Sequence, residues 1–260
     1  MTNRYDIIWL DTVDSTNEAA RRQISDIDNL SVLSALEQTS GKGQKGNRWS
    51  SARGENLTFS IVLKFSGPSA SCRLPSLLAR NQFLLTEIAS LSVIDLLSRH
   101  GISAEIKWPN DIYVGNKKIC GMLIENSLRG QYLSSSIIGI GLNVNQRNFD
   151  VNLPNPTSML LCNPSLSQQD LPELLEEFIE IFRHYHYRCL YSDDGPSYMR
   201  KLYLKNMWRY DIDARYRDMV SGQEFSGRIK GLSDIGLLIV KDTNKGEIRE
   251  FAFKEIGYIL

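Results

Sequence analysis

Four cations, Lys42, Lys45, Arg48 and Arg53, stand in one glycine-rich stretch with no acid between them. Backbone N–H groups made accessible by Gly41, Gly43 and Gly46, together with those charges, can wrap a phosphate or a phosphoanhydride. Trp49 adds a flat surface able to stack on a purine. Residues 41–46 (GKGQKG) also fit the GxGxxG pattern of dinucleotide sites, but that reading requires a helix opening directly from the loop. Residues 47–56 (NRWSSARGEN) have no apolar helical period, and a strand follows. The phosphate loop of nucleotide hydrolases fails as well, because Asn47 and Arg48 stand where Lys and Ser or Thr are required. A solvated surface loop with its tryptophan anchored in the core has the same composition. The length and glycine content favour a loop ordered by a ligand.

Two further segments carry chemistry. Residues 107–126 read KWPNDIYVGNKKICGMLIEN. Trp108-Pro109 turns the chain, and Asn110 and Asp111 then present polar groups beside an apolar sheet. Lys118 begins an otherwise apolar strand, where a lysine needs an anionic partner from the protein or a ligand. Solvation of both Lys117 and Lys118 beside the turn is the plain alternative. In residues 137–145 (IIGIGLNVN), Gly139 and Gly141 strip side chains from one strand face, so a ligand or another backbone can approach. Asn143 falls on that face. A close strand–strand contact explains the same glycines.

The elements that must position these groups can be read from pattern. Residues 5–10 predict a strand. Ser15 and Glu18 form an S-x-x-E capping box, placing a helix start near Ser15 and carrying it through EAARRQI. Residues 31–37 predict a strand, 39–56 a loop and 57–65 a strand. An apolar stripe over 75–99 predicts a long core helix ended by Gly101. Strands at 112–114 and 118–125 flank Gly115-Asn116, a hairpin signal, and 133–142 predicts a central strand. Helices are expected over about 167–190 and 196–206. From Tyr210 the pattern becomes short strands and turns, a spacing that suits an SH3-like β-barrel. The expected architecture is α+β: a mixed or antiparallel sheet with helices over residues 1–207, then the β-module over 208–260.

Composition narrows the classes. The 260 residues carry zero formal net charge, so nothing global points to nucleic acid or an anionic membrane. Cys72, Cys120, Cys162 and Cys189 form no CxxC pair; buried free thiols and a reducing compartment are expected. His184 and His186, two apart on a helix, do not share a face, so no metal site is expected there. His100 closes a helix, where an imidazolium suits the dipole. No apolar run approaches the ~20 residues of a membrane span, and no signal peptide is seen. A soluble, cytoplasmic protein is expected.

Five motifs in this order resemble the biotin–protein ligase family: Ser15-Thr16-Asn17; the Gln38, Gly41–Gly46 and Trp49 loop; Lys107–Asp111; Lys118–Gly121; and Gly139–Asn143. Together they cover roughly residues 5–260, terminal module included. The resemblance implies a class II synthetase-like catalytic core. It also implies an activity that forms biotinyl-5'-AMP from biotin and ATP, with Mg²⁺, and transfers biotin to one lysine of a biotin carboxyl carrier protein. On that resemblance Lys118, Lys42 and Asp111 are catalytic. Biotin meets Ser15, Thr16, Asn17, Gln38, Gly41, Lys42, Lys118, Gly121, Gly139 and Gly141. ATP meets Lys42, Gly43, Gln44, Gly46, Trp49, Asn110, Lys118 and Asn143. The family's loop usually reads Gly-Arg-Gly-Arg-x-Gly-Arg; Lys42, Gln44 and Asn47 replace its arginines. Lys42 keeps charge but not bidentate geometry. The alternative is a lipoate or octanoate ligase of the same superfamily; these share the fold but generally lack this KWPND-to-lysine arrangement. Some family members are biotin-responsive repressors with an N-terminal DNA-binding domain. Only fourteen residues precede Ser15, so no such role is expected. Homodimerisation is left open.

Overall fold

The computed structural model describes residues 6–67 and 74–259. Its larger sheet has seven strands: β1 (Ile7–Val13), β2 (Val32–Gln38), β3 (Asn56–Lys64), β4 (Glu105–Lys107), β5 (Asp111–Val114), β6 (Lys117–Arg129) and β7 (Tyr132–Asn143). They lie in the order β1-β2-β3-β7-β6-β5-β4, with β1 and β2 parallel and the other pairs antiparallel. The sheet is therefore mixed, as expected, and β7 is its central strand.

Register explains how the two faces differ. Phe59 pairs with Ile140 and Ile140 with Met122, so one face is apolar. Against it pack α2 (Phe83–Arg99) and α4 (Leu171–Leu190), with Phe59 meeting Phe178 edge-on at 5.1 Å. Each fully buried Leu, Ile or Phe in this layer contributes about 1.5–3 kcal/mol. The opposite face bears Ser60 beside Gly139 and Thr58 beside Gly141, which in turn faces Gly121. There α1 (Thr16–Arg22) packs on Leu33, Val62 and Ile137 through Ala19 and Ala20, and its Asn17 reaches over Gly139. The glycines leave room for such side chains.

The structure corrects three helix expectations. The Ser15 side chain makes no capping hydrogen bond, and Glu18 instead meets Arg21 and Lys42; α1 ends at Arg22. The long helix begins at Phe83, not near residue 75. Upstream, Leu77 and Ala79 hydrogen-bond to the turn between β6 and β7 (Leu133 N to Leu77 O, 2.9 Å; Ala79 N to Gln131 O, 2.8 Å), and sheet pairing overrides the apolar period. Gly101 does end α2, with φ +70°. The next helix starts at Leu171, where Asp170 accepts from Glu173 N at 3.0 Å and Pro172 occupies the first turn. A short α3 (Met159–Cys162) lies before it, and α5 (Gly195–Lys205) follows.

The chain closes in a second, five-stranded antiparallel sheet: β8 (Asp213–Asp218), β9 (Glu224–Leu232), β10 (Leu238–Asp242), β11 (Ile248–Phe251) and β12 (Ile256–Tyr258), ordered β11-β10-β9-β8-β12. Asp218 and Asp242 cap its turns by accepting backbone N–H groups at 2.9–3.0 Å. The topology changes near Trp208, yet the core does not break there. Tyr113, Trp208 and Tyr258 pack in succession, with ring centroids 5.5 Å apart and planes tilted by 42° and 50°, and Trp108 Nε1 donates to Gly236 O at 3.0 Å. Of the cysteines, Cys120 and Cys189 are buried and Cys162 half-buried; Cys72 lies outside the described residues. Among the described residues, no helix is long and apolar enough to cross a membrane.

Candidate active site

A cavity of about 330 Å³ opens on the glycine-bearing face, between the two sheets. Its floor is bare because it has to be. A Cβ on Gly139 would overlap the Asn17 amide, and one on Gly141 would overlap the Trp49 indole. On Gly121 it would come within 3.0 Å of both Lys118 Nζ and Trp49. The three glycines thus admit side chains from three other segments onto one strip of sheet.

One end of the cavity is lined by neutral polar side chains, Ser15, Thr16, Asn17 and Gln38. Thr16 N donates to Gln38 Oε1 at 2.8 Å, and Asn17 Nδ2 donates to Glu125 Oε2 at 2.8 Å and Leu123 O at 3.2 Å. Ser60 Oγ lies 2.7 Å from Thr16 Oγ1 and 2.6 Å from Asn17 Oδ1. A hydroxyl has one proton, so Ser60 donates to one and accepts from Thr16 when it serves Asn17. Sequence reasoning missed Ser60, although Thr58 and Ser60 are polar residues at alternate positions of an otherwise apolar strand.

The middle is charged. Lys118 Nζ meets Asp111 Oδ1 at 2.7 Å and lies 5.6 Å from the Trp49 ring centroid. A register shift between β5 and β6 accounts for its aim. Ile119 and Cys120, consecutive residues, are both fully buried in the core. The extra residue returns Lys118 to the face that carries Gly121. The anionic partner expected for this lysine is therefore Asp111 of the protein itself. Trp49 Nε1 is buried with no hydrogen-bond partner, an orphaned donor at the cavity wall.

The glycine loop folds over this strip. Lys42 bridges Arg48, Gly43 N donates to Asn47 O at 2.7 Å, and a 3-10 turn spans Gln44–Gly46. Its cations diverge. Lys42 and Arg48 line the cavity, with Lys42 held by Glu18. Arg53 turns outward to Asp11 and Glu37, because those edge-strand carboxylates stand beside it, and it does not belong to an anion site. The Lys45 side chain lies outside the described structure.

Ser15, Thr16, Asn17, Gln38, Lys42, Gly43, Gln44, Trp49, Asn110, Asp111, Lys118, Gly121, Gly139 and Gly141 all line the one cavity. Gly41, Gly46 and Asn143 do not. Gly41 is packed under the Trp49 carbonyl and the Gln38 amide. Gly46 supplies the φ of +88° at the loop turn. Asn143 is buried at the strand end, where Nδ2 donates to Thr157 O at 2.9 Å. Conversely, Lys107 and the terminal module's Phe253, Lys254, Ile256, Gly257 and Tyr258 line the cavity without having been among the anticipated site residues. Nothing in the terminal module's strand pattern says which edge faces the first sheet. Among the described residues the lining holds five cations, Lys42, Arg48, Lys107, Lys118 and Lys254, against one carboxylate, Asp111. Among the described residues no three His, Cys, Asp or Glu side chains form a metal-binding group. The arrangement suits a ligand with a neutral polar head, a central acyl or phosphoryl group and further negative charge.

A model of the biotin/lipoate A/B protein ligase family matches residues 9–143. The bifunctional ligase/repressor BirA of Bacillus subtilis is 28% identical over 247 residues, 92% of this chain and 70% of that protein. The biotin–[acetyl-CoA-carboxylase] ligase of Paracoccus denitrificans is 32% identical over 134 residues, 50% of this chain and 51% of that one. The structure of a biotin protein ligase from Aquifex aeolicus in complex with biotin and ATP superposes with a TM-score of 0.75. It is 26% identical and covers 97% of each chain.

Proposed function

This chain belongs to the biotin/lipoate A/B protein ligase family, and on that premise we propose that it is an ATP-dependent biotin–protein ligase. The observation that carries this reading is the single cavity in which the Lys118–Asp111 pair stands between a neutral polar cluster and a basic loop.

A carboxylate does not acylate an amine usefully at neutral pH until its oxygen becomes part of a leaving group. In the first step the biotin carboxylate oxygen attacks the α-phosphorus of ATP. The bond to the bridging oxygen breaks, and pyrophosphate leaves. Such a transfer needs position and charge more than a protein nucleophile. Lys118 and Lys42 supply the charge, and the Ser15–Asn17 cluster with Gln38 receives the ureido ring. Trp49 stacks on the purine. The nucleotide enters as its magnesium complex. Among the described residues Asp111 is the one carboxylate lining the cavity, so the phosphates would supply most of the ligands of a magnesium ion there.

In the second step the amine of a carrier lysine, as free base, attacks the acyl carbon. The bond to the phosphate oxygen breaks, AMP leaves, and Asp111 takes the surplus proton. The partner is a biotin carboxyl carrier domain. The loop over 39–56 shields the mixed anhydride from water between the steps. Residues 1–207 make the catalytic unit, and residues 208–260 close its far wall.

Incubation with biotin, MgATP and a carrier domain, followed by intact-mass measurement of the carrier, tests this. One biotinyl group on one lysine is expected. An unmodified carrier, or equal labelling when lipoate replaces biotin, contradicts it.

A further inference from the structure

The cavity wall against the second sheet holds a lysine for which the chemistry above has no use. Lys107 ends β4, and its ammonium donates to Tyr113 Oη at 2.8 Å. It lies 4.5 Å from the Tyr113 ring centroid, 5.2 Å from Tyr258 and 5.7 Å from Trp208. These are the three rings that pack, tilted to one another, across the junction of the two sheets. Two of them, Trp208 and Tyr258, come from the C-terminal part of the chain, so the cage exists only when the second sheet is docked.

Among the described residues no carboxylate pairs with Lys107. The nearby acid, Asp111, is taken by Lys118. Burial lowers the Lys107 pKa, Asp111 opposes this, and the positive charges of Lys118 and Arg209 lower it further. Aromatic faces and a hydroxyl steady a cation without neutralising it. A half-buried ammonium amid surplus positive charge has a desolvation cost that an incoming anion offsets. A lysine already paired with a carboxylate would have to exchange one anion for another; Lys107 does not.

We propose that Lys107 binds the phosphate chain of ATP, its ammonium held ready by an aromatic cage that the second sheet completes. This deepens the adenylation reading and rests on it. The phosphates are the anion of choice because the neutral cluster at Ser15–Asn17 lies across the glycine floor, and the Lys118–Asp111 pair stands at the acyl junction between. In this arrangement the C-terminal part acts on catalysis through Lys107, beside the charge that its own Lys254 brings to the lining.

The test is equilibrium binding of ATP, and separately of adenosine, to wild type and to Lys107→Met, which keeps a long side chain in the cage and removes the charge. Loss of one charge-assisted phosphate contact should weaken ATP about tenfold or more and leave adenosine within about twofold. ATP affinity within about twofold of wild type, or a parallel loss for adenosine, overturns the proposal. Should Lys107→Met fail to fold, Tyr113→Phe decides by the same two ligands: a selective loss for ATP supports the proposal, and no loss or a parallel one overturns it. Binding is read without turnover. A protein that holds ATP through Lys107 but makes no biotinyl adenylate would sink the ligase reading and leave this one standing.

Discussion

Trp49 rests its indole where a side chain on Gly141 would have to be. A loop residue and a central-strand residue, ninety-two positions apart, therefore specify each other. The loop reaches the sheet only because the strand has nothing there.

Gly141→Ala should displace the indole. Overpacking of this kind costs about 1–3 kcal/mol, so adenylate formation should fall about tenfold or more. Trp49→Ala in the same background should add little, since both changes break one contact. Additive losses would show that Gly141 acts on the substrate independently of Trp49.

The loop cations should separate by function. Lys42→Ala should raise the KM for ATP, because Lys42 lines the cavity. Arg53→Ala should leave adenylation within about twofold and cost at most about 1 kcal/mol, the worth of an exposed ion-pair network. A large rise in KM from Arg53→Ala would place it in the phosphate site after all.

That split also marks how far the residues alone reach. The strands other than β4, the hairpin and the bodies of both long helices followed from period and turn chemistry, and fourteen of the seventeen anticipated site residues line one cavity. The failures share a cause: a tertiary partner outbids a local signal. Glu18 leaves the capping box for Lys42, Leu77 leaves a helical stripe for a strand edge, and Arg53 leaves its loop for Asp11 and Glu37. Ser60 and Lys107 went unassigned because their roles depend on what faces them. For Ser60 that is the turn into α1, and for Lys107 it is a sheet formed a hundred residues later.

Two buried groups should tilt stability against pH in opposite directions. Burial lowers the His186 pKa to about 4. Between its ordinary value of 6.5 and that point the unfolded chain binds the extra proton, so stability is lost as pH falls through the window, by about 3 kcal/mol at most. Burial raises the Glu87 pKa to about 7, against the opposing pull of Arg200. Between 4.5 and 7 the folded chain holds the extra proton, so stability is lost as pH rises. The two oppose each other over that range. His186→Phe should make unfolding free energy fall from pH 4.5 to 6.5, and Glu87→Gln should make it rise. Chemical denaturation at stepped pH reads both; parallel slopes in all three proteins would refute this assignment.

The most direct measurement is biotin-dependent exchange of labelled pyrophosphate into ATP, by wild type and by Lys118→Ala. It isolates the step in which carboxylate and α-phosphate meet beside Lys118. Exchange that requires biotin, and that falls about 100-fold or more in a folded Lys118→Ala protein, is the result predicted. Exchange at the wild-type rate in that variant, or no biotin-dependent exchange in the wild type, would contradict the account.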